Sequence, residues 1–132
     1  MTTSEASMNQ EFQKEIEQII NKISSIADLV PGVVVVHKLP ELNILFMSKL
    51  GLRLLGAEWN EIKGMSYEHF QKTFFNEEDA KDYTEKILDL FSNNTDQFAS
   101  YFQQVRTSKT RTWDWYMSTT RVLLRDNENK PV

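Results

Sequence analysis

The sequence predicts a single α+β domain, and three observations carry that reading. A helical apolar stripe opens the chain, two short apolar runs follow it, the first of them β-branched, and two longer alternating runs come after a set of short helical segments. The chain has 132 residues, 40% hydrophobic and 26% charged, enough for one ordinary core and too apolar for wholesale disorder.

Residues 1–8 are polar and read as a disordered tail. Residues 9–28 form an N-terminal amphipathic helix, because Phe12, Ile16, Ile19, Ile23 and Ile26 recur at alternating steps of four and three. Ile20 and Ala27 widen that stripe. So short a seam is marginal as a free coiled coil. It either pairs with a second subunit or folds back on its own domain, and these five residues are the dimerisation candidates.

Residues 29–132 form the folded domain. Pro31-Gly32 punctuates the chain, and Val33 to Val36 then reads as a buried strand. A turn near Pro40-Glu41 leads to a second strand over Ile44 to Met47, the hairpin partner of the first. Ser48 is placed to cap a short helix carrying Leu50, Leu54 and Leu55, with Gly56 as its left-handed stop. Trp59 and Ile62 occupy a one-turn helix ending at Gly64, and Tyr67, Phe70, Phe74 and Phe75 form a third short apolar face. Asn76 caps the longest internal helix, Asp79 stands where a capping box places a carboxylate, and Ala80, Tyr83, Ile87 and Leu90 line one face. Two alternating strands, Phe98 to Val105 and Trp113 to Thr119, are joined by a hairpin at Thr107 to Thr110; Arg121 to Arg125 extends the second, and Asp126 to Asn129 is a turn.

This order and its punctuation resemble the PAS family over about residues 28–132. Val30-Pro31-Gly32 is similar to the family's approach to its first strand. Phe46-Met47-Ser48 with Leu54-Leu55-Gly56 resembles its second strand and first helix, with Ser48 where asparagine is more usual. Phe74 to Asp79 resembles the aromatic-then-PxD approach to the long helix, with Glu77 or Glu78 in place of the proline. Trp113-Asp114-Trp115-Tyr116 and Arg125 to Pro131 resemble the penultimate strand and its turn. Ser100 to Arg106, together with Trp113 to Tyr116, is similar to PAS modules that precede helix-turn-helix domains in bacterial transcription regulators. The joint order carries the likeness, not any single motif.

The resemblance implies a PAS-like sheet of five antiparallel strands with short helices on one face. The sequence reaches Pro131-Val132 where the central fifth strand would begin, so a truncated sheet is expected, with unpaired neighbours that favour recruitment from a second copy.

The chemistry available is narrow. Without cysteine, disulfides, thiolate zinc, iron–sulfur clusters, LOV-type photochemistry and thioester chromophores are excluded. His37 and His69 are the two histidines; His37 reads as a surface or turn residue, while His69, beside Phe70, could approach a pocket. Neither is read as a haem ligand. Glu77, Glu78, Asp79 and Asp82 are explained by capping and dipole roles, and Asp126, Glu128 and Asn129 lack the glycine and distal glutamate of a calcium loop. No nucleophile elbow, phosphate-binding glycine loop or HExxH motif is present. No cofactor or metal is predicted, with room left for a non-covalent flavin or an unknown small molecule.

A net charge of −4 argues against direct nucleic-acid contact, and Arg106, Lys109 and Arg111 read as a solvated turn. No signal peptide or membrane span is evident, so the cytoplasm is the expected compartment.

Phe46, Phe70, Phe74, Tyr83, Ile87, Trp113 and Trp115 are the ligand-pocket candidates, and alternation places the two tryptophans opposite Tyr116. The expected function is a sensory and dimerisation module of a bacterial signalling or transcription-regulatory protein. It forms a homodimer and relays ligand or partner binding to an effector domain, helix-turn-helix by the resemblance. The alternatives are a ligand-independent dimerisation scaffold and a small cone-shaped α+β enzyme; for the latter no acid–base pair emerges.

Overall fold

A computed structural model describes residues 3–92, 98–106 and 112–132, with side chains in the first helix described from Gln10 onward. The chain is α+β. Helix α1 (Thr3–Ala27) is followed by strands β1 (Val35–Lys38) and β2 (Asn43–Met47). Short helices α2 (Lys49–Leu55), α3 (Trp59–Lys63) and α4 (Tyr67–Phe74) come next, then a 3₁₀ turn (Glu77–Asp79) and helix α5 (Ala80–Ser92). Strands β3 (Phe98–Arg106) and β4 (Trp113–Arg121) complete the described elements.

Helix α1 starts earlier than the sequence suggests, running through the stretch read as a tail. Glu5 and Ala6 are good helix formers, and with no proline or glycine before Pro31 nothing interrupts the helix once it is nucleated.

The described strands do not show the five-stranded sheet, truncated in its last strand, that the resemblance implies. The described strands make two separate antiparallel hairpins, β1–β2 and β3–β4, with no strand between them. The valine run is a partial correction. β1 begins only at Val35, Val33 is 43% exposed, and no residue of the run is buried, because a two-stranded ribbon covers one face only. β2 carries a bulge: Val36 faces Phe46 while His37 faces Ile44, leaving Leu45 unpaired. The extra residue resets the alternation, so Ile44 and Met47, three apart, both enter the core.

The core knits the two hairpins together through the helices. Ile44 and Met47 from β2, Leu55 from α2, Ile62 from α3, Phe70 and Phe74 from α4 and Val105 from β3 form one buried cluster. Ser48 anchors it. Its hydroxyl caps α2 by accepting from Gly51 N at 3.5 Å and also accepts from Val34 N at 3.0 Å, while Gly56 ends α2 at φ 65°. Gly51 is there because the packing is close: a Cβ would lie 2.7 Å from Val33 Cγ1 and 2.8 Å from Met47 Cγ.

Asp79 departs from the capping-box expectation. Asn76 caps the 3₁₀ turn through Glu78 N, but the Asp79 carboxylate is buried and turns to β3, accepting from Gln104 N at 2.6 Å and Gln104 Nε2 at 3.3 Å. Asn76 N donates to Gln104 O at 3.1 Å, and Phe75 bridges Val105. The segment after α4 therefore covers the edge of β3 that β4 leaves open. The Thr107–Thr110 hairpin, Lys109 and Arg111 lie outside the described residues. β4 ends at Arg121, and Arg125 reappears only in an isolated bridge with Pro131. Between them Asp126 Oδ1 accepts from Glu128 N and Lys130 N, which makes the expected turn.

Candidate functional site

The β3–β4 register decides which side chains share a face. Phe98 faces Arg121, Ser100 faces Thr119, Phe102 faces Met117, Gln104 faces Trp115 and Arg106 faces Trp113. Directly paired residues point to the same side, so these five pairs form one surface. The intervening pairs, among them Tyr101–Ser118 and Gln103–Tyr116, form the other.

The inner surface packs on the helices. Tyr83 of α5 stacks on Tyr101, with ring centroids 4.9 Å apart and planes 22° from parallel. The Tyr101 hydroxyl shares a hydrogen bond with Thr120 Oγ1 at 2.9 Å, and Gln103 Nε2 donates to Ser118 Oγ at 2.6 Å. On α4, Gln71 Nε2 donates to the Tyr67 hydroxyl at 2.7 Å, and the Tyr67 ring meets His37 of β1 edge-on at 5.9 Å. The group of three tyrosines, two glutamines and His37 thus spans from one hairpin to the other.

Its electrostatics follow from burial. Desolvation, with nearby Tyr67 and Tyr101 and the Asp79 carboxylate adding to it, pushes the Tyr83 phenol up to about 12. Burial likewise raises Tyr67, against the donated hydrogen bond of Gln71. His37 is half-buried within β1 and not at a surface turn. Burial lowers its pKa, opposed by its bond to Leu42, so the neutral ring is favoured. Its Nδ1 is 3.0 Å from Leu42 O, and only a protonated Nδ1 can donate there, which leaves Nε2 as the acceptor. His69, which the sequence allowed near a pocket, is exposed on α4.

The outer surface is the reverse of what a soluble sheet face usually carries. Phe98 and Met117 are each 67% exposed, and Phe102 and Trp115 are each 64% exposed. Ser100, Thr119, Gln104 and Arg106, four of its five polar members, are already engaged. Ser100 Oγ and Thr119 Oγ1 share a hydrogen bond at 2.9 Å, and Gln104 reaches Asp79. The Arg106 guanidinium donates to Thr73 O at 3.2 and 2.8 Å and lies 4.8 Å over the Trp113 ring.

The pocket candidates are therefore divided. Phe70 and Phe74 sit in the core cluster, and their rings are 5.5 Å apart. Tyr83 is buried on α5, Ile87 is half-buried on the same helix, and Phe46 is half-buried in β2. Trp113 and Trp115 stand on the outer face, away from these. Alternation separates the tryptophans from Tyr116, but it cannot say which side the helices cover. On α1, Phe12, Ile16, Ile19 and Ile23 are half-buried and Ile26 is 54% exposed, so none of the five seam residues is buried.

Sequence reasoning passed over Tyr67, Gln71, Gln103 and Asp79 as a group. Their proximity depends on α4, α5 and β3 docking, and no local spacing announces it. Among the described residues no group of three or more histidines and carboxylates could hold a metal ion, and no helix is long and apolar enough to cross a membrane. The chain matches no family model, no curated protein and no solved structure.

Proposed function

We propose that this chain is a PAS-like sensory and dimerisation module of a bacterial signalling or transcription-regulatory protein, acting by binding and not by catalysis. One observation carries the proposal: β3 and β4 present a polar-aromatic face to the helices and an exposed apolar face to the outside, at alternate residues of the same strands. A ligand that displaces the Tyr83–Tyr101 stack moves a strand whose next residue, Phe102, lies on the outer face. Such a ligand changes self-association only in proportion to its preference for one of the two strand positions. The hydroxyls and amides beside the tyrosines suit a small aromatic or amphipathic molecule with hydrogen-bonding groups. The output passes to an effector domain, for which the PAS resemblance suggests a helix-turn-helix unit.

A second reading, a ligand-independent dimerisation scaffold, draws support from the filling of the core, where Phe74 and Ile62 are each 0% exposed. The two readings separate in one experiment. A panel of small aromatic metabolites is tested for a rise in melting temperature, and each hit is then tested for its effect on the self-association constant. The sensory reading expects at least one compound that raises the first and shifts the second. Hits that leave self-association unchanged favour the scaffold.

A further inference from the structure

We infer that Met117 is an oxidation site: a hydroperoxide converts its thioether to the sulfoxide, and this modification switches off self-association at the outer β3–β4 face. The inference rests on the dimerisation half of the function proposed above and adds a second signal, an oxidant, that acts on it.

Sulfur in this chain is confined to methionine, since five methionines and no cysteine are present. The thiol chemistry of ordinary redox sensing is therefore closed to it. A thioether has no proton to lose, so its reactivity toward peroxide is set by access to the sulfur lone pairs and not by pH. Access separates the methionines whose side chains the structure describes. Met47 is 5% exposed within the core cluster, and Met65 is half-buried against the same cluster. Met117 is 67% exposed on the outer face. Hydrogen peroxide, little larger than water, reaches that side chain without any movement of the fold.

The step is a two-electron oxygen transfer. A lone pair on Sδ attacks one oxygen of the peroxide, the S–O bond forms and the O–O bond breaks. The departing oxygen keeps the electron pair of the broken bond, takes up the proton of the transferred oxygen and leaves as water. Sulfur is oxidised by two electrons and the peroxide is reduced by two.

The position decides the consequence. Met117 is the direct cross-strand partner of Phe102, and the Phe102–Met117 pair is the third of the five outer pairs. Trp115 and Thr119 flank it on the same face of β4. Any apolar partner on this face must cover its centre. Oxidation replaces a flexible apolar side chain there by a polar, chiral one whose oxygen is a strong acceptor. In the free chain water satisfies that oxygen. Under an apolar partner water is excluded, and an unpaired polar group so placed weakens association by roughly 10–100-fold. Met117 is outside the core cluster, so the fold of the single chain is unaffected. Association in turn shields the sulfur, and the peroxide acts on the dissociated chain.

The test uses the whole chain and hydrogen peroxide. Dilute, dissociated protein is treated and quenched, each methionine is scored by peptide mass, and self-association and melting temperature are then measured. The expected result is sulfoxide at Met117 ahead of Met47 and Met65, an association constant lowered roughly 10–100-fold, and an unchanged melting temperature of the monomer. Methionine sulfoxide reductases for both epimers should restore association. Met117→Leu, which keeps an apolar side chain, should associate like the natural chain and ignore peroxide. Met117→Gln, which carries a neutral polar group of similar length, should associate as weakly as the oxidised chain without any peroxide. Met117 left unoxidised, or fully oxidised with an unchanged association constant, overturns the inference and leaves dimerisation standing. So does a Met117→Leu chain that still loses association under peroxide. A chain that is monomeric at every concentration before treatment overturns dimerisation as well.

Discussion

At the scale of single residues, Asp79 ties the helical segment to the second hairpin. Replacing it with alanine leaves Gln104 N without its acceptor in a largely covered position, and charged hydrogen bonds of this kind contribute about 2 kcal/mol. Asp79→Ala is therefore expected to lower unfolding free energy by about that amount in chemical denaturation, with Asp79→Asn intermediate. His37 makes a pH-dependent contribution. Its folded pKa lies below its unfolded value, so the unfolded chain takes up the proton first as pH falls. Its share of stability is intact above about pH 6.5 and is lost below it. The unfolding midpoint of the natural protein should fall between neutral pH and pH of about 5.5, above the usual carboxylate range, and His37→Gln should flatten that slope. Some of this was legible beforehand: the capping contacts of Ser48, Gly56 and Asn76 reach no more than four residues along the chain and follow from local chemistry. The Asp79–Gln104 and Arg106–Thr73 contacts join residues 25 and 33 apart, and nothing local marks them.

At the scale of elements, periodicity served well where one face is plainly apolar. The stripe of α1 and the Tyr83–Leu90 face of α5 are both present as helices, and the β3–β4 hairpin has the expected strands. Alternation gave the partition of β3 and β4 into two faces, but only docking shows that Tyr116 is inside and Trp115 outside. The β2 bulge was hidden because an extra residue leaves no compositional mark in a run of Ile44, Leu45, Phe46 and Met47. At the junction of Val33, Met47 and α2 the packing leaves no room for a Cβ on Gly51. Gly51→Ala should cost about 1–3 kcal/mol through overpacking, despite alanine's better helix propensity, and thermal unfolding reads the loss directly. The outer face makes the opposite prediction. Phe102→Lys removes an exposed aromatic without opening a core cavity, so the melting temperature of the monomer should change little while self-association weakens at least tenfold in sedimentation.

At the scale of the molecule, two hairpins with no strand between them among the described residues are held together by the helices packed across both. That arrangement leaves two apolar surfaces, the α1 seam and the outer sheet face, and sets a cluster of tyrosines between the hairpins. The α+β class was legible in the element order, whereas the separation into two sheets was not, because strand pairing across the molecule is set by long-range contacts. Sensing through self-association is the central claim, and native mass spectrometry of the purified chain tests it most directly. The expected result is a species of twice 15.5 kDa, with a reproducible added mass or with dimer abundance that responds to an aromatic hit from the ligand panel. A bare 15.5 kDa monomer that persists as concentration is raised, and that no compound converts to dimer, would contradict it.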